Sequence, residues 1–155
     1  MNEVELTLFE LTRAAHVGVS RVIDNFNNKR RPRYGETSRN SVWEEHIIGA
    51  IGECAVAKYF NLYWNGSLGD IHAKDVGKFQ VRTRAREIDN LLLHPEDKDE
   101  DIFIAVIVSG RIVKIAGWIF GSNGKKPRFW AEKVKGRPCY FVPNSALKPM
   151  ENLIP

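Results

Sequence analysis

Two acidic residues, a glutamine and an arginine occur in an order that suits chemistry on phosphodiesters. Glu53 lies within the small and apolar stretch 49–57, Asp70 follows seventeen residues later, and Gln80-Val81-Arg82 comes ten residues after that. A Mg²⁺ ion takes oxygen ligands from one or two carboxylates and keeps several waters. It polarises a phosphate and lowers the pKa of a bound water, and a nearby cation stabilises the charge that develops. These residue types therefore predict a site for metal-assisted phosphodiester hydrolysis.

The elements expected around these residues bring them together. Strand alternation over residues 78–84 places Gln80 and Arg82 on the same face. We expect Asp70 to reach that face from a neighbouring strand and Glu53 from a packed helix. The predicted metal ligands are Glu53, Asp70, Gln80 and the Val81 carbonyl, with Arg82 as the phosphate clamp.

The same residues resemble the PD-(D/E)XK nuclease superfamily, whose pattern is a helical Glu, an Asp on a second strand and a Glu-x-Lys on the third. The strings 49–57 and 80–84 look like those of small phage-borne members, and the resemblance covers residues 42 to about 119. It implies an α+β fold with a restriction-endonuclease-like core, a mixed sheet flanked by helices. It also implies a DNA nuclease that uses Mg²⁺ or Mn²⁺. The catalytic residues by this resemblance are Glu53, Asp70, Gln80 and Arg82.

Two departures from the superfamily pattern affect catalysis more than DNA binding. The third acid is replaced by Gln80, a neutral ligand that weakens cation affinity. The usual lysine is Arg82, which keeps its charge at working pH and is a poor proton shuttle, although it can hold a phosphate bidentately. The alternative function is therefore a catalytically degenerate DNA-binding or protein-interaction factor on the same fold.

Each of these residues also has a structural interpretation. Glu53 paired with Arg82 would form an ion pair between helix and sheet, since buried acids are usually paired. Asp70 after a glycine suits a turn. Gln80 and Arg82 suit an exposed strand face.

Two further residues compete for places in the site. Asp75 is a rival for the second metal ligand, but Lys74-Asp75-Val76-Gly77 favours a hairpin turn. His46 lies seven residues before Glu53, about two helical turns, and so shares its helix face. A partly buried structural role is the more typical one for such a histidine.

Positive charge indicates a polyanionic partner, and DNA is the expected one. The net charge is +4, with basic clusters in the loop after residue 28, on the strand near residue 84 and beyond residue 125. Residues expected to bind nucleic acid are Arg30, Arg31, Arg33, Arg84, Arg86, Lys125 and Lys126. Trp130, flanked by Arg128 and Lys133, is either a core residue or a base-stacking platform.

The 155 residues fit a single domain with three parts. The predicted parts are an N-terminal helix over about 3–27, a core over about 42–119 and a basic C-terminal tail. Within the core the apolar pattern predicts a helix over 42–60 capped by Ser41, and a hairpin of strands 102–108 and 111–119. Residues 85–93 are expected to form at most one short helix.

Apolar runs are too short for a membrane span, which needs about 18 residues. The acidic N-terminal stretch 1–5 does not resemble a secretory signal. We therefore expect no membrane association and a cytoplasmic protein, in the host cytoplasm if it is phage-encoded.

Overall fold

A computed structural model describes residues 1–29, 41–68 and 73–155, which build two sheets and two long helices. The strands are β1 (Asn2–Glu5), β2 (Phe79–Arg84), β3 (Leu91–Leu93), β4 (Ile102–Val108), β5 (Ile112–Phe120), β6 (Trp130–Ala131) and β7 (Cys139–Val142). The helices are α1 (Leu8–Asn27), α2 (Val42–Tyr59) and the short α3 (Gly121–Gly124). Single 3₁₀ turns cover Pro127–Phe129, Asn144–Ala146 and Met150–Asn152.

The larger sheet has the strand order β1-β5-β4-β2 and is mixed. β2 runs parallel to β4, whereas β4 pairs with β5 and β5 with β1 in the antiparallel sense. The smaller sheet, β3-β7-β6, is antiparallel. The expected α+β class, with a mixed sheet flanked by helices, is confirmed.

The N-terminal helix predicted over 3–27 is wrong at its start. Residues Asn2–Glu5 form strand β1, which pairs with β5 and turns Val4 into the core. The helix begins at Leu8 because Thr7 and Glu10 form a reciprocal capping box. The apolar residues before Thr7 therefore follow the strand period and not the helix period.

Helix α2 is confirmed where the apolar pattern placed it. It spans Val42–Tyr59, and the Ser41 side chain accepts a hydrogen bond from the Glu44 backbone. Gly52 allows this helix to approach the sheet closely, because a Cβ there would lie 2.2 Å from Thr83 Oγ1 on β2. Residue 53 is thereby held beside the edge strand.

The hairpin of β4 and β5 is confirmed, whereas the one short helix allowed for residues 85–93 does not form. Leu91–Leu93 form strand β3 instead, paired with β7. Leu91 and Leu93 are buried while Leu92 is exposed, which is the alternation of a strand covering a core on one face.

The two faces of the larger sheet bury different cores. The face towards α2 packs in a cluster that includes Val81, Ile104 and Val106. The opposite face packs against the smaller sheet through a second cluster: Leu91, Leu93, Phe103, Ala105, Ile119 and Val142. No helix among the described residues is long and apolar enough to cross a bilayer.

Candidate functional site

Glu53 is a buried carboxylate that accepts three hydrogen bonds. Only 6% of the residue is exposed, and it sits on α2 among small apolar residues. Arg21 of α1 donates from Nη1 to Oε1 at 2.6 Å and from Nη2 to Oε2 at 2.8 Å. The Trp64 indole donates from Nε1 to Oε2 at 3.0 Å. This bidentate pairing is the strong form of a carboxylate–guanidinium contact.

Close packing of the two long helices brings Arg21 to Glu53. Gly18, one helical turn before Arg21, lies against the α2 backbone, where a Cβ would be 2.5 Å from Ile47 Cα. Arg21 Nε also donates to the Ser67 carbonyl at 3.1 Å, which fixes the plane of the guanidinium. The sequence analysis did not assign Arg21 to the site. A glycine three residues before an arginine in that helix was the available signal.

Asp75 is the second acidic residue of this region. It lies in a tight hairpin turn, as its sequence indicated, with a bridge between Val76 and Phe79. Its Oδ2 accepts a hydrogen bond from the Val81 N–H at 2.7 Å. Burial and then the negative charge of Glu53 raise the pKa of Asp75 to about 6. The two carboxylates therefore lie close enough for their charges to interact.

His46 borders the same cluster, two turns before Glu53 on α2. Its Nε2 lies 3.3 Å from Asn25 Nδ2 on α1. Burial, followed by the positive charge of Arg21, lowers the pKa of His46. A neutral imidazole at pH 7 is chemically able to accept a proton.

Arg82 is not brought to Glu53. Its guanidinium pairs with Asp97 at 3.0 Å and lies 5.1 Å from the centre of the Phe103 ring, on the side of the smaller sheet. Gln80, two residues earlier on β2, shares that side by strand alternation. The ion pair considered between Glu53 and Arg82 is replaced by the one between Glu53 and Arg21.

Val81, whose carbonyl is a predicted metal ligand, has contacts through its other groups. Its side chain packs in the core under α2, and its N–H holds Asp75. Asp70, the expected second ligand, lies outside the described residues.

The predicted DNA-binding cations fall into three groups. Arg30, Arg31 and Arg33 lie outside the described residues. Arg86 and Lys126 are exposed, and Arg86 pairs with Asp89 at 2.6 Å.

Arg84 and Lys125 are held inside the fold, which corrects their assignment as surface contacts for DNA. Arg84 is buried and donates to the Asp89 carbonyl and to Asn144 Oδ1. Lys125 donates to the Asp97 carbonyl at 2.7 Å and pairs with Asp99 at the same distance. Both cations donate hydrogen bonds to acceptors in nearby loops, so their charged groups are already paired within the protein.

A divalent cation suits the chemistry of the Glu53 and Asp75 pair, although Glu53 is already engaged. Two carboxylates that repel one another offer the hard oxygen ligands that Mg²⁺ and Mn²⁺ prefer. Within residues 1–29, 41–68 and 73–155 there is no cluster of three or more His, Cys, Asp or Glu side chains able to hold a metal. A cation bound here would have to displace Arg21 from at least one oxygen of Glu53.

Comparison with known proteins adds no relative. No protein-family model, no curated protein and no solved structure matches the chain.

Proposed function

We propose that this protein is a metal-dependent DNA nuclease of the PD-(D/E)XK type, with Glu53 and Asp75 as its acidic pair. The observation that carries the proposal is the buried Glu53 carboxylate of α2, whose negative charge acts on the Asp75 carboxylate beside edge strand β2. One comes from a buried helix and the other from the turn before the strand. In this assignment Asp75 takes the place that the sequence resemblance gave to Asp70.

The electrostatics of the pair support a site made for a cation. Glu53 contributes to the raised pKa of Asp75, so a positive charge between them would stabilise both. Arg21 supplies that charge on the Glu53 side. A Mg²⁺ or Mn²⁺ ion held by Glu53 and Asp75 would polarise a phosphate and lower the pKa of its water.

The remaining residues of the cluster position the acids. Trp64 orients the Glu53 carboxylate through its indole N–H, and Val81 orients Asp75 through its backbone N–H. Arg21 would be available to a phosphate only once a metal ion displaces it from Glu53, because a guanidinium binds phosphate and carboxylate with the same two-pronged geometry. It replaces Arg82 in that role, since Arg82 lies over Phe103, on the side of the smaller sheet.

The second candidate function is DNA binding without hydrolysis. Arg21 occupies both Glu53 oxygens, so a metal ion would have to compete with Arg21 for them. This arrangement supports binding without hydrolysis. Gln80 and Arg82, in place of the acid and lysine of the superfamily, point the same way.

A cleavage time course separates the two functions. Linear, circular and single-stranded DNA are incubated with Mg²⁺, with Mn²⁺ or with a chelator. The proteins compared are the wild type, Glu53→Gln, Asp75→Asn and the exposed control Glu100→Gln. A nuclease cleaves with metal, retains activity in Glu100→Gln and loses it in the other two variants. Equal activity in all four preparations, or none in any, overturns the nuclease proposal.

A further inference from the structure

We propose that the edge of the smaller sheet around Trp130 binds single-stranded nucleic acid. This surface, called here the Trp130 edge, comprises residues 126–137 together with Tyr140. It lies beyond the acidic pair and does not depend on the function proposed for that pair.

The Trp130 edge is strongly basic. Exposed cations follow one another along it: Lys126, Arg128, Lys133 and Lys135. The segment has one acidic residue, Glu132, whose side chain accepts a hydrogen bond from the Gly136 N–H. An excess of exposed positive charge of this kind attracts a phosphate backbone.

An exposed tryptophan lies among these cations. Trp130 is 44% exposed on the two-residue edge strand β6, opposite Tyr140, with ring centres 4.7 Å apart. Trp64 and Trp118 are buried. A large aromatic ring left at the surface beside cations is the arrangement on which nucleic-acid bases stack.

Two cations of the segment are held against aromatic rings, one in the turn before Trp130 and one on the face of β7 opposite to Tyr140. The Arg128 guanidinium lies 4.7 Å from the centre of the Phe129 ring, and Lys133 Nζ lies 4.1 Å from the centre of the Phe141 ring. These contacts keep positive charge close to the aromatic residues and limit the side-chain freedom lost on binding.

The shape of this surface favours a single strand over a duplex. The segment contains a 3₁₀ turn and a two-residue strand, and no helix that would enter a major groove. The indole ring needs an unstacked base, which a duplex does not offer. A single strand supplies both the accessible bases and the phosphates.

The Trp130 edge and the acidic pair lie on opposite sides of the larger sheet. The smaller sheet packs on the face of Phe103 and Ile119, whereas α2 packs on the face of Ile104 and Val106. Binding at one surface can therefore be tested without the other.

The test is fluorescence anisotropy with the full chain and a labelled oligothymidylate of about 20 nucleotides, in chelator and over a salt series. The variants are Trp130→Ala and Trp130→Phe. Trp43→Phe is the matched control, because Trp43 is 42% exposed but stands beside Glu44 and Glu45. Circular dichroism establishes that each variant is folded. A duplex of the same length and an acidic peptide serve as competitors.

We expect Trp130→Ala to weaken binding of the single strand by roughly 5- to 150-fold, the range that base stacking supports. Trp130→Phe restores part of the affinity, and Trp43→Phe leaves it unchanged. Intrinsic fluorescence is quenched by the oligonucleotide in Trp43→Phe but not in Trp130→Phe.

Three results would overturn the proposal. The first is no binding at low salt, and the second is equal affinity of wild type and folded Trp130→Ala. The third is better competition by the duplex or the acidic peptide than by the unlabelled single strand. A nuclease assay that fails at the acidic pair leaves these outcomes unaffected, since binding is measured without metal.

Discussion

The Arg21 guanidinium binds both oxygens of the Glu53 carboxylate, at 2.6 and 2.8 Å, and thereby joins α1 to α2 at a largely buried position. The two residues are 32 positions apart in the chain. A buried charge is tolerated in such a place only when it is paired and hydrogen-bonded. The pair therefore both stabilises the helix packing and sets the electrostatics of the candidate site.

Removing Arg21 should destabilise the fold strongly. Arg21→Met leaves Glu53 buried with only the Trp64 indole as a charge-stabilising partner, and we expect a loss of about 3–5 kcal/mol in the free energy of unfolding. Arg13→Gln, an exposed change on the same helix, should stay within about 0.5 kcal/mol of wild type. Urea unfolding measures both.

The double variant Arg21→Met with Glu53→Gln checks the cause. It removes both charges, so most of the lost stability should return. A single Arg21→Met variant as stable as Arg13→Gln would show that the ion pair does not hold the helices together.

Replacement by alanine should lower the stability of the fold at Gly18 and raise it at Gly49. A Cβ at Gly18 would meet the α2 backbone, at 2.5 Å from Ile47 Cα and 2.7 Å from the His46 carbonyl oxygen. Gly18→Ala must therefore push the helices apart, at a cost of about 1–3 kcal/mol. A Cβ at Gly49 meets nothing within 4 Å, so Gly49→Ala should raise stability by about 0.5–1 kcal/mol. Thermal unfolding of the two variants measures this difference. Equal melting temperatures would contradict the close packing of α1 against α2 at Gly18.

Asp75 should make stability fall as pH rises through the weakly acidic range. Its pKa is raised from 3.8 to about 6, so between these values the folded protein keeps a proton that the unfolded chain has released. The free energy of unfolding therefore decreases over that window, and the full penalty is present above about pH 6. Asp75→Asn keeps the acceptor for the Val81 N–H and removes the charge.

We expect Asp75→Asn to exceed wild type in stability by about 1–3 kcal/mol above pH 7 and to match it below about pH 4. Urea midpoints across this range provide the measurement, with the exposed Glu100→Gln as control. A constant difference between Asp75→Asn and wild type at every pH would rule out the raised pKa.

Some elements were predicted correctly because the residues that determine them lie within a short stretch of sequence. Helix α2 and the β4–β5 hairpin follow from an apolar run with a serine cap and from two strands around Ser109-Gly110. Strand β1 was missed because its four residues need β5 as a partner, and the apolar spacing near the N-terminus fits either period.

The composition of the site depended on contacts far apart in sequence. A turn preference at Asp75 describes its backbone correctly and says nothing of its carboxylate, which reaches Val81. The pairing of Glu53 depended on how α1 packs, so Arg82, on the neighbouring strand, was the wrong partner. Charge alone likewise did not distinguish the exposed Lys126 from Arg84, which is buried and hydrogen-bonded to the Asp89 carbonyl and Asn144.

Diffraction from crystals soaked in Mn²⁺, recorded at a wavelength where manganese scatters anomalously, tests the acidic pair most directly. The proposal predicts one anomalous peak between the Glu53 and Asp75 carboxylates, at ligand distances of about 2.1 Å. It also predicts Arg21 displaced from at least one Glu53 oxygen, and no peak in Asp75→Asn crystals. Arg21 still on both oxygens, with no manganese between the two carboxylates, would contradict the assignment of a metal centre.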